Sequence, residues 1–443
     1  MEAPLIGLIS FICVLGLLGL RVPIAFALAS VAIVGSFFFY AFHANEFVLE
    51  QTVNATSSLV YSNFFDLIHS YDLSMIPLFV ALGHVSYSAN ITTRIYYAAR
   101  VWLSRLPGGV AMASVVGCGG FSAISGSSIA CASTMGRICT PEMLRMGYDP
   151  RLATASVAVG GTLGSLIPPS VLFIIYGIFT ETSISQLFMA GVLPGILTLL
   201  GFLLVIFIWV KRDPAIAPVD TLSFSFREKC QAGLRAWPAM FLFITIVGGI
   251  YGGIFSPTEA ASVALTMAVA IGFFQKELTL DSLWNAVRET CVQTSSLFLI
   301  AASAKVFVAF IALTGIAPEI VSFVSDANLS VVGLLFFIAV MYLLLGMFLD
   351  PIGIMVLTLP LVIPLVESYD LNIIWFGVVV IKLLEISLIT PPVGLNVFVI
   401  ANVIDKDVPI NSIFSGVMRF LALDFVVLLL ILMYPSISLL LVS

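Results

Sequence analysis

Four polar or glycine-rich segments interrupt otherwise apolar stretches, and their residue types suit binding chemistry. The segment 125–128 reads Ser-Gly-Ser-Ser, and a glycine-rich segment follows at 160–164, shortly before a Pro-Pro pair. In the second half, Asp350 precedes the segment 390–396, which holds another Pro-Pro pair. A helix broken inside a membrane exposes carbonyl oxygens that suit sodium and N–H groups that suit an anion. These segments therefore predict ion and anion binding.

We predict two sodium sites, one in each half of the chain, and no other metal. The ligands predicted for the first site are Ser125, Gly126, Ser127, Gly160, Thr162 and Gly164. Those predicted for the second are Gly346, Asp350, Thr390, Pro391, Gly394 and Asn396. Structural roles compete with this interpretation. Small residues also allow close helix packing, the glycines before Pro168 can form a plain kink, and Asp350 can cap a helix that starts at Pro351.

Residues next to these segments are predicted to face an anion. They are Ser128, Pro169, Ser170 and Lys305. Lys305 lies inside an apolar stretch, where an ionisable side chain costs about 2.5–3.5 kcal/mol on insertion scales. It can pair with a carboxylate of the anion, pair with Glu385, or snorkel. Lys382 and Glu385 are three residues apart and are predicted to neutralise each other.

The composition is that of a membrane protein. Hydrophobic residues make up 60% of the 443 residues and charged residues 9%, against about 25% charged in a soluble domain. The length suits roughly ten spanning helices of about 20 residues each. The net charge of −6 argues against nucleic acid as a partner. The six cysteines form no CxxC pair, and we find no HExxH motif, histidine cluster or Ser/His/Asp arrangement, so an enzyme is not expected.

Lys and Arg mark the cytoplasmic ends of apolar stretches and predict the topology. The first span, about 4–20, ends at Arg21, which places the N-terminus in the periplasm. The stretch 107–145 has arginines at both ends and small residues in its middle, which predicts a hairpin that enters from the cytoplasm. The stretch 328–366 is flanked by acidic residues instead, which predicts a periplasmic hairpin. We expect a multi-pass protein of the bacterial inner membrane, in contact with its lipids.

The two halves match each other at fixed offsets. The Pro-Pro pair at 168–169 matches the pair at 391–392, an offset of 223, and the same offset carries Ser127 onto Asp350. Because the predicted topology reverses between the halves, we interpret them as inverted repeats, which are typical of secondary transporters. A channel is disfavoured because the broken helices pair off in opposed halves.

The predicted fold is an all-α polytopic membrane protein with two inverted repeats, each holding a re-entrant hairpin and a broken helix. Residues 107–182 and 328–405 are predicted to form a transport domain. The rest is predicted to form a scaffold. It comprises residues 1–106, with a surface helix at 91–105; residues 183–327, with a cytoplasmic linker at 211–235; and residues 406–443, the last span.

Motifs along nearly the whole chain resemble the large membrane (M) subunit of tripartite ATP-independent periplasmic (TRAP) transporters. In sequence order they are IPLF at 76–79, SGSS at 125–128, PEM at 141–143, GY at 147–148, GGTLG at 160–164, IPPS at 167–170, LF at 187–188 with Gly191, PG at 194–195, GIFSPTEA at 253–260 and PPVGLN at 391–396. Lys305 departs from what this family leads us to expect.

The resemblance implies an elevator-type symporter of the ion-transporter superfamily. It implies sodium-coupled uptake of a small organic anion, such as sialic acid, a dicarboxylate or a sugar acid. It also implies a periplasmic substrate-binding protein and a small membrane subunit (Q type), which we expect to be a separate chain. The alternative is a stand-alone sodium-coupled carboxylate carrier that needs no binding protein.

Overall fold

The computed structural model describes residues 3–43, 48–218, 224–404 and 408–442, and within these ranges regular structure is entirely helical. The first half contains α1 Ala3–Gly19, α2 Ile24–His43, α3 Leu49–Ile68, α4 Met75–Ser88, α5 Ile91–Leu103, α6 Gly109–Ser125, α7 Ser128–Arg145, α8 Pro150–Leu166, α9 Val171–Thr180, α10 Ile184–Arg212 and α11 Phe226–Arg235. The second half contains α12 Trp237–Phe243, α13 Gly249–Tyr251, α14 Pro257–Phe274, α15 Leu280–Thr314, α16 Ile316–Asp326, α17 Val331–Gly346, α18 Pro351–Ser368, α19 Ile373–Ser387, α20 Leu395–Val403, α21 Ile410–Met433 and α22 Ser436–Leu439.

The first hairpin is formed by α6 and α7, which are joined by only two residues. α6 ends because Gly126 adopts a left-handed backbone conformation, with φ of +63°, that other residues seldom tolerate. α7 then begins because the Ser127 side-chain oxygen accepts the N–H of Ala130 at 3.4 Å, as an N-cap. The Ser-Gly-Ser-Ser sequence thus supplies the end of one helix and the start of the next.

The second hairpin is formed by α17 and α18. Asp350 precedes α18, and its carboxylate accepts the N–H of Gly353 at 2.9 Å. Pro351 occupies the first helical position, where its missing N–H costs nothing. The capping role that the sequence offered for Asp350 is therefore confirmed.

Each hairpin is followed by a helix broken at a Pro-Pro pair. α8 and α9 are separated at Pro168-Pro169, and α19 and α20 at Pro391-Pro392. The second part of each broken helix crosses to the other half of the chain. α20 packs against α7 and α8, and α9 packs against α18 and α19, where the Tyr176 hydroxyl donates to the carbonyl oxygen of Ile373 at 2.8 Å. The two halves therefore interlock.

The remaining long helices pack in two groups. α10 and α21 lie against α8 and α19 and against each other, while α2, α3, α4, α14 and α15 pack mainly among themselves. The loop between α14 and α15 is tied to the start of α5 through Glu277. Hydrogen bonds from Asn90 and Arg94, at 2.9 and 3.0 Å, hold the pKa of the Glu277 carboxyl below its usual range.

The sequence missed some element boundaries. The sequence pattern divides one region into a polar surface helix at 279–294 and an apolar span at 295–315, but both belong to the single helix α15. No glycine or proline interrupts residues 280–314, so nothing breaks the helix there. Helix α16 was not predicted, and the predicted linker 211–235 contains α11.

Seven helical segments in the described ranges are long and apolar enough to cross a membrane, with α8 and α9 counted together as one of them, or up to nine if two bent pairs each count as one span. The helices that form the hairpins and broken segments fall partly below that length. The predicted transport-domain boundary at residue 405 lies outside the described residues.

Gly416 tests the contact between α21 and α8. A Cβ at this position would overlap the carbonyl oxygen of Arg151, whereas a Cβ at Gly16 on α1 would meet no atom within 4 Å. We expect Gly416→Ala to destabilise the protein by about 1–3 kcal/mol, the usual cost of overpacking, and Gly16→Ala to leave stability unchanged. Thermal unfolding of the purified chain measures both. Equal unfolding temperatures for the two variants would show that α8 and α21 are not in such close contact.

Candidate ion and anion site

The tip of the first hairpin is inserted at the break between α8 and α9. The carbonyl oxygen of Gly126 accepts the N–H of Val171 at 3.1 Å. A Cβ on Gly126 would lie 2.5 Å from the carbonyl oxygen of Pro169, and a Cβ on Gly164 would lie 2.8 Å from the carbonyl carbon of Ser127. Glycine is needed at both positions because backbone meets backbone. The sequence predicted this pairing of tip and break.

The side chains of the first predicted sodium set do not all meet at this tip. The Ser125 hydroxyl is buried and finds no hydrogen-bond partner among the described residues. Thr162 is buried and donates its hydroxyl to the carbonyl of Val159 at 2.7 Å, which leaves its oxygen lone pairs free to bind a cation. Gly160 lies farther along α8, where a Cβ would meet the sulfur of Cys118 on α6 at 2.9 Å.

The second tip lies against α19 just before its break. A Cβ on Gly346 would overlap the side chain of Ser387. Thr390 donates its hydroxyl to the carbonyl of Ile386 at 2.6 Å, and half-buried Pro391 follows it at the break. Gly394 has a φ of +55°, in the left-handed region, and α20 begins immediately after it.

Asn396, predicted for the second sodium set, connects the second break to the first hairpin. Its side-chain N–H groups donate to the Ser128 hydroxyl at 3.0 Å and to the carbonyl of Ala158 at 3.2 Å. The side-chain oxygen of Asn396 is fully buried and has no hydrogen-bond partner in the described ranges. Asn396 therefore lies with the first predicted set, which sequence offsets alone did not indicate.

One cavity of about 480 Å³ lies between the two hairpin tips, within the range that is usual for small-molecule sites. Both tips line it, the first through residues 125–128 and the second through Asp350, Pro351 and Ile352. Helices α4 and α15 close another side, where the ring of His84 lies 3.1 Å from the carboxylate of Glu289. Arg137 of α7 also lines the cavity and is exposed.

The four residues predicted to face an anion are placed differently from one another. Ser128 lines the cavity and is 7% exposed. Ser170 is fully buried as the N-cap of α9, and its hydroxyl donates to the carbonyl of Ser165, which does line the cavity. Pro169 is buried against Gly126. Lys305 is half-buried on α15, apart from the residues that line this cavity.

The predicted neutralisation of Lys382 by Glu385 is confirmed, with 3.0 Å between the ammonium and the carboxylate. The sequence did not reveal a second partner, Asp424 of α21, whose carboxylate lies 2.6 Å from the same ammonium. Glu385 is thus engaged away from Lys305, and no ion pair of Lys305 occurs in the part of the chain that the structure describes. Asp424 is the one acidic residue in the apolar span 410–433, and an ionisable residue inside a span usually pairs with another, so this position could have indicated the second partner.

Comparison with known proteins identifies the family of this chain. Residues 11–437 match the family described as the tripartite ATP-independent periplasmic transporter, DctM component. The chain is 33% identical over 380 residues to the C4-dicarboxylate TRAP transporter large permease protein DctM of Pseudomonas aeruginosa, covering 85% of this chain and 87% of that one. It is 34% identical over 389 residues to the sialic acid TRAP transporter permease protein SiaT of Haemophilus influenzae, covering 86% of this chain and 61% of that one.

Two solved transporter structures share the fold at low sequence identity. The Alcanivorax borkumensis YdaH transporter has a TM-score of 0.61 at 14% identity and covers 89% of this chain and 90% of its own. The Neisseria gonorrhoeae MtrF structure has a TM-score of 0.60 at 13% identity and covers 98% of this chain and 95% of its own. The family match covers most of the chain, and the TRAP permease relatives at 33–34% identity agree with it. This multi-pass, all-helical membrane protein therefore belongs to the family of large permease subunits of TRAP transporters, which are transporters and not an enzyme class.

Proposed function

We propose that this chain moves a small organic anion into the cytoplasm together with sodium, and that a periplasmic binding protein delivers the anion. The observation that carries the proposal is the cavity between the two hairpin tips, which draws its lining from both halves of the chain. Relatives named for C4-dicarboxylate and sialic acid support a carboxylate as the substrate. In the cavity, Ser128 offers a hydroxyl and Arg137 a positive charge for such an anion.

Oxygen atoms without partners support sodium binding beside the cavity. The Ser125 hydroxyl and the Asn396 side-chain oxygen are both buried without hydrogen bonds in the described ranges, and leaving such groups unsatisfied costs about 1–3 kcal/mol each. A sodium ion would satisfy them together with carbonyl oxygens at the tip. For the second site, the residues that fit are Asp350, Thr390 and the carbonyl groups around Pro391 and Gly394.

The packing suggests which helices move together. We infer that the two hairpins and the two broken helices, whose two copies are inverted relative to each other, form a mobile unit. This unit would move against a scaffold that includes α2, α4, α14 and α15. The sequence-based boundaries assigned α10 and α21 to the scaffold. Their contacts with α8 and α19, and the buried ion pair between α19 and α21, favour including them in the mobile unit instead.

Membership of the family supports the proposed assembly, and the position of Arg21 after the first span supports the proposed orientation. A small Q-type membrane subunit and the binding protein would complete the transporter, with the N-terminus of this chain in the periplasm of the inner membrane. A stand-alone sodium-coupled carboxylate carrier is the second candidate. The permease relatives at 33–34% identity favour the tripartite form, because they are named as TRAP transporter components.

Uptake into proteoliposomes separates these candidates. The vesicles hold this chain and its small subunit, the binding protein is outside, and carboxylates are screened with and without an inward sodium gradient. We expect uptake only when sodium and the binding protein are both present, because sodium orders the tips and the binding protein delivers the anion. Sodium-driven uptake without the binding protein would favour the stand-alone carrier, and sodium-independent uptake would contradict both sodium sites.

The first hairpin tip offers a sharper test within the same assay. Gly126→Ala places a methyl group against the Pro169 carbonyl and forces a left-handed conformation, whereas a Cβ at Gly119 on the same hairpin meets its neighbours at an ordinary 3.5 Å. The methyl group is placed where the proposed sodium site needs the tip, so a cost of about 1–3 kcal/mol to the sodium-bound arrangement would lower sodium affinity, and with it uptake at subsaturating sodium, roughly 5- to 150-fold. We expect Gly119→Ala to behave as wild type. Unchanged uptake by Gly126→Ala would remove the first tip from the mechanism.

A further inference from the structure

Three charged side chains meet in the interior, away from the cavity. Lys382 and Glu385 lie on α19 and Asp424 lies on α21, and all three side chains are fully buried. The ammonium nitrogen of Lys382 is 3.0 Å from Oε2 of Glu385 and 2.6 Å from Oδ1 of Asp424. The cluster therefore joins α19, which ends just before the second break, to α21, which follows α20 in the chain.

The hydrogen-bond donors of this cluster are used up. An ammonium has three N–H donors, and Lys382 directs them to Glu385, Asp424 and the hydroxyl oxygen of Thr198 on α10, the last at 3.2 Å. The Thr198 hydroxyl in turn donates to the carbonyl of Pro194. Oε1 of Glu385 and Oδ2 of Asp424 remain, and both are buried without a partner in the described part of the chain.

The charges of the cluster do not balance. One ammonium against two carboxylates leaves one net negative charge among side chains that are 0% exposed. An uncompensated charge in an apolar interior is strongly unfavourable, and such a group takes up a proton instead. A sodium ion is a poor substitute here, because it would have to share the carboxylates with an ammonium of the same sign.

The surrounding helices bring no further charge to the cluster. α17 and α9 contribute Tyr342 and Tyr176, whose hydroxyls are engaged by Thr358 and by the carbonyl of Ile373. Arg419 of α21 stacks on Trp209 at 4.1 Å and is exposed. α8, α18 and α10 carry charged side chains only at their ends, and α20 and α22 carry none; these end residues are Arg151, Glu367, and Lys211 with Arg212.

We propose that Glu385 is a proton-binding site, with its carboxyl group protonated while Asp424 carries the charge that pairs with Lys382. Asp424 is the nearer of the two carboxylates to the ammonium, so it is the better ion-pair partner. The protonated Glu385 can still accept from Lys382 through Oε2 and hold its proton on Oε1, which no other group occupies. This inference does not depend on the substrate or on sodium coupling.

The bound proton makes stability depend on pH. The folded protein holds a proton that the unfolded chain releases to water near neutral pH, so the folded state binds more protons than the unfolded state. Stability must then fall as pH rises. The stability is lost in the packing of α10, α19 and α21, because deprotonation of Glu385 restores the unpaired negative charge between these helices.

Thermal unfolding of the purified full chain in lipid, followed from mildly acidic to alkaline pH, tests the site. We expect the unfolding temperature of the wild type to fall by several degrees with rising pH. Glu385→Gln replaces the neutral acid with a neutral amide of the same shape, so its unfolding temperature should match the acidic wild type and change less with pH. Glu319→Gln, which removes an exposed carboxylate, should keep the wild-type profile.

A second variant and a second measurement complete the test. Asp424→Asn leaves Glu385 to pair with Lys382, so its pH profile should flatten as well. In the infrared spectrum, the carbonyl band of a buried carboxylic acid should be present in the wild type and absent in both variants. The proposal is overturned by wild-type pH profiles and spectra in both variants, by failure of Glu385→Gln to fold, or by a wild-type profile that shifts with sodium concentration instead of pH.

Discussion

Backbone N–H and carbonyl groups in an apolar environment must find hydrogen-bond partners within the protein, and this requirement shapes the structure. A helix interrupted in the membrane leaves carbonyl and N–H groups that lipid cannot satisfy. Here the first hairpin tip meets the first break, where the Gly126 carbonyl accepts the N–H of Val171. The glycines at these contacts permit the approach, since any side chain would separate the two backbones. Two buried side-chain oxygens at this junction, those of Ser125 and Asn396, find no partner in the described ranges, which supports the proposal that an ion binds there.

The crossing of the broken helices links the two halves of the chain energetically. α20 reaches the first hairpin, and Asn396 bonds both Ser128 and Ala158 there. A ligand that orders Ser128 at the first tip therefore also acts on the segment after the second break. The buried cluster of Lys382, Glu385 and Asp424 lies just before that break and fixes α19 to α21. The proposed ion and anion sites therefore share the contacts of Asn396 with the packing of α20 on the first hairpin.

Much of the fold could be predicted from local patterns. The apolar stretches and the positions of glycine, serine and proline predicted both hairpins and both breaks, because helix ends and caps are set by nearby residues. The capping by Asp350 and the Lys382–Glu385 pair were predicted for the same reason. The family was also recognised from the order of its motifs.

Contacts between distant parts of the chain could not be predicted in the same way. The position of Asn396 against the first hairpin depends on how α20 packs, and the pairing of Lys382 with Asp424 joins residues on separate helices. Helix α15 was divided wrongly because its polar first half and apolar second half resemble two elements. Which residues bind sodium stays a prediction, because several of the predicted ligand side chains, such as those of Thr162, Thr390 and Asp350, already form hydrogen bonds with backbone groups.

Binding of the transported anion, measured by calorimetry on the purified complex with and without sodium, tests the central claim most directly. If the ion sites and the anion site share the two tips, sodium must raise the affinity for the anion, and the anion must raise the affinity for sodium by the same factor. A factor of about 5–150 is expected for such coupling. An anion affinity that is the same in sodium and in its absence would contradict the account.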